Sequence, residues 1–225
     1  MSSFTVGLDL GQGADYSAIV VVERVLVLPP LISLAAFYRA PQVVGPDMKE
    51  ELHVRHLGRW ELGTPYPVIV TDVTRMLRGG GMQDALLFID GTGVGRAVMD
   101  MFTDEWQRER FGCYHPQAIT ITGGHERNGN NVPKSDLMAS IQVSLQQGSL
   151  KIAEGLTLGS MLEYELTAFR QKITATGRDT YEYQRKAGDG HGDLVSALSL
   201  ALFQPNTLRR PDVVENTEIL RKGTS

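Results

Sequence analysis

The chain has only one cysteine, Cys113. No internal disulfide can form, so a reducing compartment is expected, and a lone thiol without a companion base defaults to an inert packed side chain. Long apolar runs are lacking as well. The longest, 18–34, is broken by Glu23-Arg24 and by Pro29-Pro30 and is too interrupted to span a bilayer. Met1-Ser2-Ser3 leads directly into strand-like sequence, so no leader peptide is expected. Positive charge is not in excess: 22 Lys and Arg stand against 26 Asp and Glu, a formal net charge of −4. The chain is therefore no polycation, and any nucleic acid has to be met through a local basic surface or through metal ions. Also missing are a G-x-x-x-x-G-K-[ST] phosphate loop, a Ser-His-Asp arrangement, a base-reading motif, internal repeats and low-complexity tracts.

What is present is ordinary globular sequence, 225 residues with 42% hydrophobic and 21% charged side chains, enough for one large core. Residues 4–10 and 17–28 read as strands joined by GQGAD, where Gly11 and Gly13 permit a tight turn. Residues 31–39 (LISLAAFYR) read as a third strand of an antiparallel meander. The pattern predicts helices over 47–60 and 67–78, the second closed by Gly79-Gly80-Gly81. ALLFID (85–90) suits a buried parallel strand, and after GTGVG a helix runs over about 94–110. QAITIT (117–122) reads as a strand and 123–132 as a surface loop. Pro133 suits the first turn of a helix reaching Gln147, with Gly148 as its stop. A helix over 157–168, a hairpin over 169–186 and an apolar helix over 192–203 follow, and residues 206–225 read as a polar, flexible tail. The order predicts a mixed-sheet α/β domain occupying residues 1–205.

Three aspartates interrupt apolar elements at their ends. Asp9 closes the first strand, Asp90 closes ALLFID, and Asp193 opens the last helix. Each taken singly has an ordinary explanation: Asp193 and Asp90 as helix caps, Asp9 as a turn residue. Taken together they describe something else. Buried carboxylates are costly, and a hard divalent cation offsets that cost through oxygen ligation. Sites also collect at the carboxyl ends of parallel strands. Three convergent carboxylates with few other ligands would make an open Mg²⁺ or Mn²⁺ site that activates water against a phosphodiester.

The stretches GLDLGQGADYSAIVVVE, LLFIDGTGVGRAVMDMF and HGDLVSALSLAL occur in that order across residues 4–203. In order and spacing they resemble the nuclease domain of the large terminase subunit of tailed bacteriophages. The resemblance implies an RNase H-like fold, with a central mixed five-stranded sheet whose second strand is antiparallel, flanked by helices and carrying an additional β-hairpin. It implies that Asp9, Asp90 and Asp193 are the catalytic, metal-holding residues, with two Mg²⁺ or Mn²⁺ ions in the active complex. The implied activity is endonucleolytic cutting of double-stranded DNA during viral genome packaging. The implied partners are DNA, a packaging ATPase domain, the small terminase subunit and the portal protein, and the implied place is the cytoplasm of the infected bacterial host, with no membrane. Since the phosphate loop is missing, the chain corresponds to the nuclease domain alone, excised or naturally separate. One position departs from the pattern: many members carry a second acidic residue where this chain has Gly192. Weaker binding of a second ion is expected, with Asp189 or His191 as compensating groups, although His191 reads more simply as a loop histidine.

Residues 170–186 hold Arg170, Lys172, Arg178, Arg185 and Lys186 against Asp179 and Glu182, a local net charge of +3, with Tyr181 and Tyr183 interleaved. Such a hairpin beside an acidic metal centre would track a phosphate backbone; a solvated hairpin is the plainer alternative. Arg127 and Lys134 flank the loop before the helix that starts after Pro133, and Lys134 matches a position often basic in the family. Binding is expected to be salt-sensitive with little sequence preference. His53-x-x-His56 after Glu50-Glu51 lacks a completing zinc ligand and reads as a solvated helix face. GTGVG lacks the full dinucleotide fingerprint and more simply lets a helix start close to the sheet. Asp15 reads as a turn residue. Two rival activities share the same core: a Holliday-junction resolvase, told apart by preference for four-way junctions, and an actin-like or sugar-kinase-type ATP-binding protein, told apart by nucleotide-dependent stabilisation. A metal-free scaffold docking on a packaging protein is the non-enzymatic rival.

Overall fold

The computed structural model describes residues 3–13, 15–30, 32–41, 48–79, 81–82, 84–93, 95–109, 115–173, 179–183, 192–203 and 212–214. Its strands are β1 (Ser3–Asp9), β2 (Ala18–Val27), β3 (Lys49–Arg59), β4 (Leu86–Asp90), β5 (Gln117–Thr122), β6 (Asn131–Pro133), β7 (Leu150–Ile152), β8 (Phe169–Ile173), β9 (Asp179–Tyr183) and β10 (Asp212–Val214). Its helices are α1 (Leu34–Arg39), α2 (Tyr66–Arg78), α3 (Gly95–Glu109), α4 (Lys134–Gln146), α5 (Gly159–Ala168) and α6 (Asp193–Ala201).

One mixed sheet organises the chain in the order β6-β5-β4-β1-β2-β3-β7. β2 is antiparallel to both β1 and β3, whereas β4 runs parallel to β1 and β5 parallel to β4. The expected antiparallel second strand is therefore present, but the sheet is wider than the five strands implied by the resemblance. The additions are the three-residue edges β6 and β7. Segments that short carry no readable alternation, which is why β6 falls inside the expected loop and β7 went unpredicted. β10 lies within the stretch expected to be a flexible tail and pairs parallel with Val25, Leu26 and Val27 of β2. β8 and β9 form the expected hairpin as a separate two-stranded sheet.

Two elements differ from expectation. Residues 31–39 do not form a strand: Ser33 caps the short helix α1 by accepting the Ala36 N–H at 3.2 Å, and Leu34-Ala35-Ala36 has no β-branched residue to oppose it. Residues 47–60 are the long strand β3 rather than a helix. The cause is a bulge. Val21 of β2 pairs with His56 and Val22 with Val54, leaving Arg55 as an extra residue. The bulge returns Leu57 to the face of Leu52 and Val54, so the buried apolar positions are spaced by two and then three, a mixture that mimics helical periodicity.

Alternation along β1 and β2 divides the core into two layers. Val6, Leu8, Ile19 and Val21 pack with α2 and α3. Ala18, Val20 and Val22 pack on the other side with α4, α5 and α6. Gly7 faces this second layer, and it has no room for a side chain: a Cβ there would lie 1.9 Å from the Ala197 carbonyl oxygen and 2.6 Å from the Ala201 nitrogen. The missing side chain lets α6 lie directly on β1. Asp193, Ala197 and Ala201 recur every fourth residue along one face of that helix. Four helical residues advance about 6 Å, and the two strand residues from Gly7 to Asp9 advance about 6.7 Å. With Gly7 under Ala197, the end of β1 and the start of α6 meet.

Gly7→Ala is therefore expected to lower the free energy of unfolding by about 3 kcal/mol through overpacking. Gly123→Ala, where nothing lies within 4 Å of an added Cβ, should stay within about 0.5 kcal/mol of the parent. Urea unfolding of the two variants measures the difference.

Candidate metal centre

In the parallel pairing of β1 with β4, Leu8 lies opposite Ile89. Asp9 and Asp90 occupy the next row, each the last residue of its strand. Leu8 and Ile89 belong to the layer of α2 and α3, so by alternation Asp9 and Asp90 face the layer where α6 begins with Asp193. Asp193 is buried, and Asp9 and Asp90 are partly accessible.

The electrostatics register this convergence. Burial, and then the charges of Asp90, Asp193 and Asp15, hold the Asp9 carboxyl well above its ordinary range, while Lys134 pulls it the other way. Burial also raises Asp90, opposed by hydrogen bonds from Thr92, whose backbone N–H donates to Asp90 Oδ1 at 2.8 Å, and by Lys134. Lys134, the first residue of α4, thus stands within electrostatic reach of both strand-end aspartates. Asp15, expected as a turn residue, does close a turn, since its N–H donates to the Gln12 carbonyl at 3.0 Å. Its charge also bears on Asp9.

The glycine-rich loops around the aspartates are held from several sides. Tyr66 Oη of α2 donates to the Gly11 carbonyl at 2.9 Å, and the Gly11 N–H donates to Ser17 Oγ at 3.0 Å. A Cβ on Gly95 would lie 1.9 Å from the Asp90 carbonyl oxygen, so GTGVG lets α3 start tightly against the strand end, as the sequence suggested. Arg59, at the end of β3, holds its guanidinium 4.1 Å over the Tyr16 ring.

One buried titratable group beside the centre escaped the sequence reading. Glu165 of α5 is 2% exposed, and its Oε2 accepts the Val195 N–H at 3.1 Å in the first turn of α6. Burial, with a contribution from Asp193, raises its pKa to about 7; the Val195 and Leu194 N–H groups and Arg59 oppose the shift. A signal existed. Glu165 lies three residues after the fully buried Leu162, on the apolar face of its helix, where a carboxylate is out of place.

Other sequence candidates fare differently. Arg127 stacks over the Phe203 ring at 4.5 Å and donates to the Gly129 carbonyl at 3.3 Å, at the rim of a cavity of about 420 Å³ also lined by Asp136 and Ser140. Lys172 sits on β8 opposite Thr180 of β9. Arg178, Arg185, Lys186, Asp189, His191 and Cys113 lie outside the described residues. His53 and His56 are on a strand instead of a solvated helix. His53 is buried and bonded to Glu51 at 2.8 Å; burial lowers its pKa and that of His56. Among the described residues no three His, Cys, Asp or Glu side chains stand in ion-holding geometry about one point. As placed, the aspartates are a convergence of charge rather than a closed cage. Among the described helices none is long and apolar enough to cross a membrane.

No protein-family model matches the sequence, and no curated protein matches it. Solved structures do. The large terminase nuclease from thermophilic phage G20c, with bound magnesium, shares 19% identity over 89% of this chain and 80% of its own, with a TM-score of 0.53. The same nuclease with bound cobalt gives the same figures. The large terminase nuclease domain of Thermus phage P74-26 shares 18% identity over 89% of this chain and 78% of its own, also with a TM-score of 0.53. The chain thus has the α/β, RNase H-like fold of large terminase nuclease domains.

Proposed function

We propose that the chain is a divalent-metal-dependent endonuclease that hydrolyses phosphodiester bonds of double-stranded DNA, with Asp9, Asp90 and Asp193 as its metal-holding residues. The observation that carries this reading is the electrostatic state of Asp9, whose charge faces three carboxylates and one lysine. A donor set made only of carboxylate oxygens fits hard cations such as Mg²⁺ and Mn²⁺ better than softer metals. The magnesium in the G20c nuclease of the same fold supports the choice. Bound there, one or two such ions would supply Lewis acidity, lowering the pKa of a water and stabilising the departing 3′ oxygen.

The chain's own groups do the rest. Asp9 and Asp90, at adjacent strand ends, present their carboxylates from the sheet, and Asp193 presents its own from α6. The Thr92 backbone N–H holds Asp90 Oδ1, and the Thr92 side chain also hydrogen-bonds this carboxylate, fixing its orientation. Lys134 supplies the positive charge beside the acids and is the first residue we assign to a DNA phosphate. Arg127, Lys172, Arg178, Arg185 and Lys186 are the further basic residues we assign to phosphate contacts, on their charge in the sequence. The packaging role, the ATPase, small-subunit and portal partners, and the host cytoplasm as the place of action follow from the same reading.

In a plasmid-nicking assay with Mn²⁺, Asp9→Asn and Asp193→Asn should each lower the cutting rate by about 10²-fold or more. Each should leave the metal-free thermal midpoint equal to or above the parent's, because a repelling charge is removed. Retained cutting by a folded Asp9→Asn/Asp193→Asn double variant excludes the assignment.

The raised carboxyls also set a pH dependence. The folded chain keeps protons on Asp9, Asp90 and Glu165 at pH values where the unfolded chain has released them. Stability of the metal-free protein must then fall as pH rises, for Glu165 from its ordinary 4.5 through about 7. Mn²⁺ should reverse the loss, raising the midpoint more at pH 8 than at pH 5, since the ligands must be deprotonated. Calorimetry with Mn²⁺ and with EDTA at the two pH values reads both effects, and an equal Mn²⁺ shift at both would contradict the carboxylate site.

Lys134→Ala should weaken DNA binding uniformly across sequences. It should reduce the slope of log affinity against log salt by about 1, as expected for one lost phosphate contact. Fluorescence anisotropy of a labelled duplex at several salt concentrations measures the slope.

A further inference from the structure

We propose that Glu165 is a positioning residue that fixes the first turn of α6 from outside the helix and thereby holds Asp193 over the strand ends. This deepens the nuclease reading and rests on it.

The start of α6 lacks the usual means of holding itself. Its N-cap is Gly192, with φ 80° and ψ 37° and no side chain to accept the first free N–H groups. Those donors need partners when the helix end is buried, and Ser, Thr, Asp or Asn would ordinarily supply one. Here the acceptor comes from another helix, 30 residues earlier: Glu165 Oε2 takes the Val195 N–H at 3.1 Å. The Leu194 N–H acts on the same carboxylate. A negative group at this end of a helix also meets the positive pole of the macrodipole.

A purely packing role does not account for the residue. Glu165 lies three positions from Leu162 on the face of α5 that enters the core, and both side chains are at most 2% exposed. A leucine there would pack without desolvating a carboxylate. Nor does an ion pair account for it: Asp193 is a like charge that repels Glu165, and the attraction of Arg59 is the smallest of the influences on it. What Glu165 has in return is the pair of N–H groups at the second and third residues of α6. Those groups lie immediately after Asp193.

The placement matters because packing buries Leu194 and Val195 of the first turn but gives that turn's N–H groups no side-chain acceptor of its own. Ala197 and Ala201 rest on Gly7, whereas the first turn reaches the end of β1, where strand contacts stop. Without the Glu165 acceptor those buried N–H groups lose their partner, which favours opening of the turn and movement of Asp193 with it. Groups that orient a ligand in this way typically change metal affinity when lost.

The test compares Glu165→Leu, Glu165→Gln and Leu162→Ala in the whole chain. Amide hydrogen exchange is read at Val195 and, as an internal reference, at Leu200 near the other end of α6; Mn²⁺ affinity is read by calorimetry. In Glu165→Leu we expect exchange at Val195 to rise about tenfold relative to Leu200 and Mn²⁺ affinity to fall about tenfold. Glu165→Gln, whose amide oxygen still accepts the N–H, should keep both within about threefold of the parent. Leu162→Ala, which loosens α5 without touching the cap, should lower the thermal midpoint and leave the ratio of the two exchange rates unchanged.

The proposal is overturned if Glu165→Leu leaves Val195 protection intact, or if Leu162→Ala alters the exchange ratio and Mn²⁺ affinity as much as Glu165→Leu does. It is also overturned if Glu165→Gln keeps Val195 protected yet loses Mn²⁺ affinity, since the carboxylate would then be acting on the ion itself. Should the parent chain bind no Mn²⁺, the nuclease reading fails; the Val195 exchange rates then still decide whether Glu165 anchors the turn.

Discussion

Carboxylates brought to one end of a sheet repel each other, and something must hold them there. In this chain the restraint is backbone packing. β1 ends in Asp9, β4 ends beside it in Asp90, and α6 begins over them with Asp193. The helix cannot swing away from the strands, because Gly7 lets its backbone settle against β1 at Ala197 and Ala201. The separation of the acids is decided by this contact and by the pairing of β1 with β4, both of which are buried. With the acids held in place, the Asp9 carboxyl is raised, by burial first and then by the charges of Asp90, Asp193 and Asp15.

The periphery of the centre follows the same logic. Glycines sit where loops must pass close to the acids, and Tyr66, Ser17 and Thr92 hold those loops by hydrogen bonds. Glu165 holds the beginning of α6 from the neighbouring helix. On the proposed function, stability and activity pull in opposite directions here. Each carboxylate proposed to hold a cation also costs the metal-free protein stability.

Legibility in the sequence varied with how local the cause was. β1, β2, β4, α2, α3, α4 and α6 were readable because each is a strongly apolar or amphipathic run bounded closely by glycine, proline or an acid. β3 was misread because the bulge at Arg55 destroys the period of two, and the bulge exists only relative to β2. The strand reading of 31–39 failed for the opposite reason: a local cap at Ser33 prevailed over a weakly apolar run that no sheet recruits. At the centre, Asp9, Asp90 and Asp193 stood out because each ends an apolar element. Glu165 did not stand out, because its partner N–H groups belong to a helix 30 residues away.

By itself the sequence determined which residues are acidic at the ends of apolar elements, that Asp193, Ala197 and Ala201 share a helical face, and that Gly7 and Gly95 can accept a neighbouring backbone. Only the tertiary structure decided that these features meet. It set the row that places Asp9 beside Asp90, the depth at which α6 lies on β1, the two short edge strands, and the capping of α6 by Glu165. The physical reason is range. Periodicity and capping arise from contacts within a few residues and leave a mark in the string of amino acids. Register, close approach and long-range hydrogen bonds depend on which distant segment lies opposite, and no local pattern records that.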